Sequence, residues 1–356
     1  MNKFPLIRHP LTTVALLIGS ALASQTAQAG PTYTARALDL PVGQPCYLND
    51  LNNKGQVVGA CMSADRSSYA AFATAAKGKR ASSVGTLGGT MSWVNGVNNA
   101  GVLVGDATVD GDMSSHAWMK APGGEMIDLG TLGGTDSAAS DVNDKGLIVG
   151  VSAVDDAGSQ AGFVILPGST QMQAVPTLGG TYARVAAVNN RGVIAGTSLL
   201  AGDVETRAFY SRAPYRKLVM LDSLGGQVTD IADINDSGKM VGFATPPNSK
   251  LRRAVTAQVG STALTELATP AGRNARANGI NSAGLIVGTH LHATENRAVA
   301  FSCTGNCSSD LTDLNSVVTD LPAGVTLVSA QRVNDKGMIS AQGSDGRLYL
   351  LLPQAQ

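Results

Sequence analysis

Beyond its first thirty residues the chain lacks any hydrophobic run long enough for a transmembrane helix. It also lacks a surplus of positive charge, with 26 basic and 26 acidic residues, whereas proteins that grip phosphate backbones are usually clearly basic. We therefore expect neither membrane insertion nor a nucleic-acid partner. Only four histidines are present, which limits the ways to build a catalytic triad or a metal site.

The N-terminal segment has the form of a secretory signal peptide. Lys3 and Arg8 give it a positive start, residues 11–23 are apolar, and Ala27-Gln28-Ala29 forms a small-x-small cleavage site. We predict that residues 1–29 are a cleaved Sec-type bacterial signal peptide and that residues 30–356 form a single domain, periplasmic or extracellular. Cleavage would leave 24 basic and 26 acidic residues, a net charge of −2.

Four cysteines form two symmetric pairs. Cys46 and Cys61 flank one predicted turn, and Cys303 and Cys307 flank another. Residues placed in this way lie roughly opposite each other in an antiparallel hairpin, within reach of a disulfide. Two local disulfides fit an oxidising compartment. A cysteine-only metal site is the rival interpretation, but the two pairs are far apart and have no histidine nearby.

One short signature organises the whole chain after the signal peptide. An apolar residue is followed by Asn, two further residues and Gly, and successive glycines are 46, 45, 46, 46, 46 and 53 residues apart. We number the repeats as units 1 to 7. Their signatures occupy residues 51–55, 97–101, 142–146, 188–192, 234–238, 280–284 and 333–337.

Each signature is typical of a tight hairpin between two β-strands. Asn and Asp side chains bond to the turn backbone, and Gly takes the positive φ that such turns require. A variable loop, a third strand and a fourth strand follow in each unit. Four antiparallel strands in about 46 residues, repeated seven times, predict an all-β, seven-bladed β-propeller with four-stranded blades. Unit 7 lacks a fourth strand before the chain ends, so we expect residues 32–40 to supply it and to close the last blade.

The sequence resembles the HAF-type bacterial extracellular repeat family. The residues that carry this resemblance are the Leu-Gly-Gly-Thr turn at 132–135, the hairpin at 142–146 with Ile-Val-Gly after it, and His116-Ala117-Trp118. The resemblance covers essentially residues 31–353 and implies a secreted, β-propeller-like protein without an assigned general activity. The chain departs from the pattern because only one of its seven third strands has the histidine. Arginine takes that place in several other units, so we interpret His116 as a structural hydrogen-bond donor.

The strongest site prediction comes from comparing equivalent positions between units. The residues four before each signature Asn are uniformly apolar, as core packing demands, whereas those five before it vary widely between units and mix aromatic, cationic and acidic groups. These five-back residues are Tyr47, Trp93, Ala138, Arg184, Asp230, Arg276 and Ser329. In a propeller the first strand of each blade borders the central channel, and convergent polar and aromatic groups suit a ligand pocket. We predict that Tyr47, Trp93, Arg184, Asp230 and Arg276 bind a ligand; the alternative is a structural network in which Asp230 pairs with Arg184 or Arg276.

A divalent metal is a further prediction, although no cofactor is certain. His290 and His292 lie on one face of a strand with Glu295 close by, a set that suits zinc or copper. Oxygen-rich loops in units 2, 3 and 4 suit calcium, but none matches the EF-hand pattern. These loops contain Asp110, Asp112, Asp155, Asp156, Asp203 and Glu205.

Three functions therefore stay open. The first is a monomeric, non-catalytic protein that binds a small molecule, a glycan or a protein at the channel mouth. The second is a metal-assisted hydrolase or lyase, and the third is a purely structural component. No nucleophile elbow, Walker loop or dinucleotide fingerprint occurs, so the catalytic residues, if there are any, are unknown.

Overall fold

The computed structural model describes residues 32–40, 45–78, 80–292, 298–305, 307 and 311–354. The predicted signal peptide and Glu295 lie outside this range. Within it the chain forms β-strands joined by turns, with no α-helix and one 3-10 turn, Leu314–Ser316. No helix in this part of the chain could therefore cross a membrane.

Numbered along the chain, the strands repeat in the order that the sequence predicts. The first strands of units 1 to 7 are β2 (Cys46–Leu51), β6 (Gly88–Val97), β10 (Ser137–Val142), β14 (Gly179–Val188), β18 (Thr229–Ile234), β22 (Ala275–Ile280) and β27 (Leu327–Val333). The second strands are β3 (Val57–Met62), β7 (Leu103–Val109), β11 (Ile148–Ala153), β15 (Ile194–Leu200), β19 (Lys239–Ala244), β23 (Ile286–Leu291) and β28 (Ile339–Gly343). The third strands are β4 (Tyr69–Thr74), β8 (Ser115–Lys120), β12 (Gln160–Ile165), β16 (Thr206–Ser211), β20 (Arg253–Gln258), β24 (Ala298–Cys303) and β29 (Leu348–Pro353).

The fourth strands are short, and two further strands complete the set. Those of units 1 to 6 are β5 (Ala81–Ser83), β9 (Met126–Asp128), β13 (Gln173–Val175), β17 (Val219–Met220), β21 (Thr265–Glu266) and β25 (Thr312–Asp313). The two further strands are β1 (Tyr33–Ala37) and β26 (Val318–Thr319).

Hydrogen bonding groups these strands into six sheets. Units 1, 2, 5 and 6 are each one antiparallel four-stranded sheet. Units 3 and 4 share an eight-stranded sheet, in which they are joined through a single parallel bridge between Gln160 and Tyr182. The strands of unit 7 form a five-stranded sheet together with β1 and β26.

The N-terminal strand β1 pairs with the last strand of the chain. Its register against β29 runs antiparallel from Tyr33 opposite Pro353 to Ala37 opposite Tyr349. On its other side β1 pairs in parallel with β26, which the sequence did not predict. Tyr33 is 1% exposed, so this terminal strand is anchored in the core rather than lying on the surface.

A β-bulge interrupts the first hairpin of every unit at the same place. In unit 3, Ala139 pairs with Gly150 and Asp141 pairs with Val149, so Ser140 is the extra residue. The bulge pushes the backbone of the first strand toward the second, and a Cβ atom at Gly150 would lie 2.1 Å from the carbonyl oxygen of Ala138. Only glycine tolerates this approach. It recurs in units 1 to 6, at Gly59, Gly105, Gly150, Gly196, Gly242 and Gly288.

The core lies between neighbouring units. The predicted apolar positions, four before each signature Asn, are all buried: Leu48, Val94, Ala139, Val185, Ile231, Ala277 and Ala330. Val94 of unit 2, for example, lies in one cluster with Val58 of unit 1 and with Trp118, which is fully buried. Each sheet therefore buries one face against the next, as the core prediction requires.

Both predicted disulfides are confirmed. Cys46 and Cys61 lie directly opposite each other on β2 and β3, and their Cα atoms are 4.0 Å apart. Cys303 at the end of β24 bonds to Cys307, with the Cα atoms 5.7 Å apart. Each bond staples one local turn and does not join distant parts of the chain.

The signature asparagines form a continuous hydrogen-bonded cycle. Each side-chain amide nitrogen donates to the backbone carbonyl oxygen of the signature Asn in the next unit, and Asn334 of unit 7 donates to Asn52 of unit 1 at 2.8 Å. Each Oδ1 atom also accepts from the backbone N–H four residues ahead in its own turn. Aspartate cannot replace Asn here, because a carboxylate has no donor for the next unit.

Candidate functional site

The two ends of the first strands carry different sets of residues. We call the end at which these strands finish, beside the asparagine cycle, the hairpin end. We call the opposite end, where they begin, the mouth; it carries the five-back residues. Two cavities lie along the first strands, one of about 160 Å³ at the hairpin end and one of about 580 Å³ at the mouth.

At the mouth, the aromatic five-back residues of units 1 and 2 form a cluster. The rings of Tyr47 and Trp93 have centroids 5.8 Å apart, and Tyr69 of β4 stacks on Trp93 at 4.3 Å. Tyr47 remains 45% exposed. The structure thus brings two of the predicted ligand-binding residues together and adds Tyr69, which the sequence comparison missed because it belongs to a third strand.

The charged five-back residues of units 4, 5 and 6 form one network around Asp230. The Asp230 carboxylate contacts Arg184 Nη2 at 3.0 Å and Arg276 Nη2 at 3.5 Å, and it accepts a hydrogen bond from Thr197 at 2.6 Å. Asp230 is only 9% exposed, whereas both arginine side chains are about one-third exposed. The pairing that the sequence left open is therefore present with both arginines.

The charges of this network do not cancel, because the single Asp230 carboxylate pairs with two guanidinium groups. Burial lowers the pKa of Arg276, and repulsion by Arg332, Arg184 and Arg252 lowers it further, against the attraction of Asp230. Burial also disfavours charge on Arg184, but Asp230 outweighs this effect and raises the pKa of Arg184. Arg184 is thus well compensated within the protein, and Arg276 is not.

The larger cavity opens beside Arg276. Its lining includes Lys250, Arg252, Asn274, Arg276, Thr289, His290 and Ser329. The guanidinium carbons of Arg252 and Arg276 lie 4.7 Å and 5.4 Å from the ring centroid of Phe243, so this one ring makes a cation–π contact with each of them. Thr289 and Ser329 share a hydrogen bond of 2.7 Å at the wall. The cavity is therefore cationic and rich in hydrogen-bonding groups.

The predicted histidine site is placed only in part. His290 lines this cavity, its Nδ1 lies 3.0 Å from the carbonyl oxygen of Leu291, and its ring lies 5.8 Å from that of Phe301. His292 directly follows β23, and Glu295 lies outside the described residues. Across the described ranges, no group of three or more His, Cys, Asp or Glu side chains could hold a metal ion. Zinc or copper binding at His290 and His292 stays a prediction.

In the acidic loops considered for calcium, three carboxylates accept hydrogen bonds from backbone amides of their own unit. Asp112 accepts from the amide of Thr90 at 2.7 Å, and Asp203 accepts from the amide of Thr181 at 2.8 Å. Asp155 accepts from the amides of Ala157 and Ser159. These hydrogen bonds hold the loops in shape, a structural role that accounts for acidic residues at equivalent positions; calcium binding there stays a prediction.

His116 has a structural partner. Its Nδ1 lies 2.9 Å from the carboxylate of Asp128, which belongs to the fourth strand of the same unit. At the equivalent place Arg253 contacts Glu266 at 2.5 Å and donates to the carbonyl oxygens of Thr269 and Pro270. The position thus links third and fourth strands in both units, as we predicted for His116.

The sequence comparison missed a set of channel residues at the hairpin end. The residue two before the signature Asn is Asp50, Asp141 and Asp233 in units 1, 3 and 5, and it is Arg332 in unit 7. Each carboxylate accepts from a backbone amide of the next unit, and Arg332 Nε lies 3.8 Å from Asp50. At this position the sequence shows acidic residues in units 1, 3 and 5 and Gly or Ala in units 2, 4 and 6. It does not show the bulge that turns the acidic side chains toward the channel.

Burial disfavours charge on these three acids. It raises the pKa of Asp141 to about 7, and the negative charges of Asp50 and Asp233 add to the effect. Burial likewise raises the pKa of Asp50 and of Asp233, although Arg332 lowers both. The hairpin end is thus an acidic, hydrogen-bonded channel, whereas the mouth is cationic.

Comparison with solved structures identifies the fold as that of β-propellers. The chain is similar to the β-propeller domain of the Trilobed protease from Pyrococcus furiosus, with a TM-score of 0.57 and 11% identity over 86% of this chain and 93% of that one. It is also similar to a prolyl endopeptidase (TM-score 0.54, 10% identity, 91% of this chain and 50% of that one) and to TolB from Acinetobacter baumannii (0.50, 11%, 85% and 64%). No protein-family description and no curated protein matches the chain. At these identities the likeness shows the fold alone.

Proposed function

We propose that the mature chain is a closed ring of seven blades. Three observations support this count. The signature occurs seven times, the cycle of asparagine hydrogen bonds returns from unit 7 to unit 1, and β1 pairs with β29. In this arrangement the eight-stranded sheet is two adjacent blades, and β1 completes the seventh.

The protein is secreted in this proposal, and it is a HAF-type repeat protein. The N-terminal segment with Lys3, Arg8 and Ala27-Gln28-Ala29 supports export, and two disulfides fit an oxidising compartment. The repeat motifs quoted above support the family. N-terminal sequencing of the protein recovered from a bacterial periplasm tests export; the expected first residue is Gly30, and an intact Met1 contradicts it.

The proposed activity is binding of an organic ligand at the mouth, without turnover. The observation that carries it is the 580 Å³ cavity, whose size lies within the usual range for ligand pockets and whose wall includes the incompletely compensated Arg276. Arg184, Asp230, Tyr47 and Trp93 surround the same end of the ring. Apart from the buried Asp230, these residues are at least partly exposed, at a position whose residue type varies between units, which suits a binding surface better than a packing surface.

A thermal-shift screen tests this proposal. The mature protein is screened against glycans, amino acids and peptides, beside Arg276→Ala and the matched control Arg191→Ala, which alters an exposed arginine of a hairpin turn. A true ligand at about a hundredfold over its Kd should add about 2.7 kcal/mol of stability to the wild type and to the control, and little to Arg276→Ala. Equal stabilisation of all three proteins places the ligand elsewhere and contradicts the proposal.

Metal-assisted hydrolysis or lysis is the alternative, and one observation favours it. His290 lines the proposed cavity, so a metal bound there would face a bound ligand. Zinc and copper therefore belong in the same screen, with His290→Ala and His292→Ala as variants. If a metal stabilises the wild type and both variants abolish that stabilisation, a metal-assisted enzyme is favoured over a non-catalytic binding protein.

A further inference from the structure

The cavity at the mouth has more positive charge than the described residues around it neutralise. Lys250, Arg252 and Arg276 all line it. Among the described residues Arg276 shares Asp230 with Arg184, and neither Lys250 nor Arg252 forms an ion pair with a carboxylate. Cations held together in this way repel one another, so a bound anion would relieve the repulsion.

The form of the cationic groups favours a carboxylate. The guanidinium carbons of Arg252 and Arg276 lie 4.7 Å and 5.4 Å from the ring centroid of Phe243, and both residues line the cavity. Guanidinium forks match the two oxygens of a carboxylate. Arg276 Nε is buried and has no hydrogen-bond partner within the described part of the protein. One donor of the fork is therefore still unsatisfied.

The remaining groups at the mouth suit a hydroxylated ring. Asn274, Thr289 and Ser329 line the cavity, and hydroxyl and amide groups bond readily to sugar hydroxyls. Across units 1 and 2, the cluster of Tyr47, Tyr69 and Trp93 offers a partly exposed aromatic surface. A pyranose ring has an apolar face of C–H groups that packs on such a surface, while its hydroxyls stay in water.

We propose that the ligand of the mouth is an acidic oligosaccharide, whose carboxylate binds Arg252 and Arg276 while a neighbouring sugar ring packs on Tyr47 and Trp93. This inference rests on the binding function proposed above and names its ligand class. An oligomer is favoured over a single sugar, because the cationic and aromatic groups belong to different units. A nucleic acid also combines anions with stackable rings, but the net charge of the mature chain, −2, argues against it.

Calorimetric titration of the full mature protein tests the inference with two matched probes. One is a trimer of galacturonic acid, and the other is its carboxyl-reduced, uncharged counterpart. The acidic trimer should bind at least about tenfold more tightly than the neutral one, since hydrogen bonds to charged groups are worth more than those between neutral groups. Its affinity should fall as salt is added.

Variants then separate the two halves of the site. Arg252→Gln and Arg276→Gln should each weaken the acidic trimer by about tenfold or more, and Tyr47→Ala should weaken it by roughly three- to tenfold. Arg191→Gln and Met113→Ala change exposed side chains outside the site and should leave its affinity unchanged.

Several outcomes would overturn the inference. Equal affinity for both trimers removes the role of the carboxylate, and tighter binding of a short single-stranded oligonucleotide assigns the site to nucleic acid. An acidic trimer that binds Tyr47→Ala as well as the wild type removes the sugar-stacking role. If another compound binds through Arg276 while neither trimer does, the ligand class is wrong but the binding function stands. If nothing in the panel binds, both proposals fail.

Discussion

The two ends of the seven first strands differ in how much their residues vary from unit to unit. At the hairpin end, every unit has the same Asn, and every Asn makes the same two kinds of hydrogen bond. Five residues earlier, at the mouth, the seven units have Tyr, Trp, Ala, Arg, Asp, Arg and Ser. The identical end holds neighbouring units together, and the varied end faces outward. Within this one molecule, repetition marks what the fold requires, and variation marks what it leaves free for recognition.

Chemistry explains why only one end is restricted. The Asn side chain must donate to the next unit and accept within its own turn, and it is about 4% to 5% exposed in all seven units. An unpaired buried amide costs about 1 to 3 kcal/mol, so each copy is under the same constraint. The five-back side chains at the mouth are mostly exposed or partly exposed, and water can replace the partners that they lack.

The largest expected loss of stability comes from removing β1. This deletion tests whether the asparagine cycle at the hairpin end can hold the fold together without that strand. Deleting residues 31–40 exposes the edge of β29 and removes Tyr33, 1% exposed, from the core. We expect a loss of at least about 4 kcal/mol, since losing one large buried aromatic already costs roughly 3 to 5 kcal/mol. The measurement is urea denaturation followed by circular dichroism. A truncated protein as stable as the wild type would contradict the closed ring.

The next largest expected loss of stability tests the comparison directly, with one substitution at the mouth, within β14, and one at the hairpin end, directly after β14. Asn189→Ala removes the donor to Asn235 and the acceptor for the amides of Arg191 and Val193, so we expect a loss of about 3 kcal/mol or more. Arg184→Ala at the mouth should cost no more than about 1 kcal/mol, because Asp230 keeps Thr197 and Arg276 as partners. Denaturation midpoints give both values, and equal losses would erase the distinction between the two ends.

A third effect probes the acidic channel through pH. The pKa of Asp141 is about 7 in the folded protein, against 3.8 for an ordinary Asp, so the folded state binds this proton more tightly than the unfolded state does. Its contribution is therefore most favourable at low pH and is lost as pH rises through about 7. Asp141→Asn should be relatively more stable than the wild type at about pH 8, by roughly 1 to 3 kcal/mol, and this advantage should shrink progressively as pH falls from about 7 to about 4.

Melting temperatures of both proteins across this pH range give the result. Comparing the two proteins cancels the titration of carboxylates that do not interact with Asp141, including Asp65 and Asp112, whose pKa values hydrogen bonding lowers. Parallel pH profiles for the wild type and Asp141→Asn would mean that Asp141 is charged in the fold as readily as in water.

The smallest expected change in stability comes from the substitution Arg252→Gln. Arg252 is exposed and stacks on Phe243 near Arg276, without a carboxylate partner among the described residues. Losing the stacking and relieving the repulsion nearly cancel, so Arg252→Gln should change stability by less than about 0.5 kcal/mol. A loss of several kcal/mol in thermal denaturation would make Arg252 a structural residue and weaken the case for an anion site.

The sequence predicted the repeated elements accurately and the chemistry of the channel poorly. Strand order, the buried four-back residues and both disulfides followed from the 46-residue period and from turn chemistry. The acids Asp50, Asp141 and Asp233 did not, because strict alternation cannot place residues that follow a bulge. Lys250, Arg252 and Tyr69 were also missed, since they belong to other strands or loops and reach the mouth only through packing.

By itself the sequence determined the repeat, the strands and the positions of the hairpin turns, because these depend on residues close together in the chain. Asn, Gly and apolar spacing act over a few bonds, so their consequences can be inferred locally. Only the tertiary structure decided which side chains meet. It brought Arg276 to Asp230 across 46 residues, placed Arg252 and Arg276 near the ring of Phe243, and paired β26 with β1. Contacts of this kind depend on bulges and on the packing of neighbouring sheets, which no short sequence window contains.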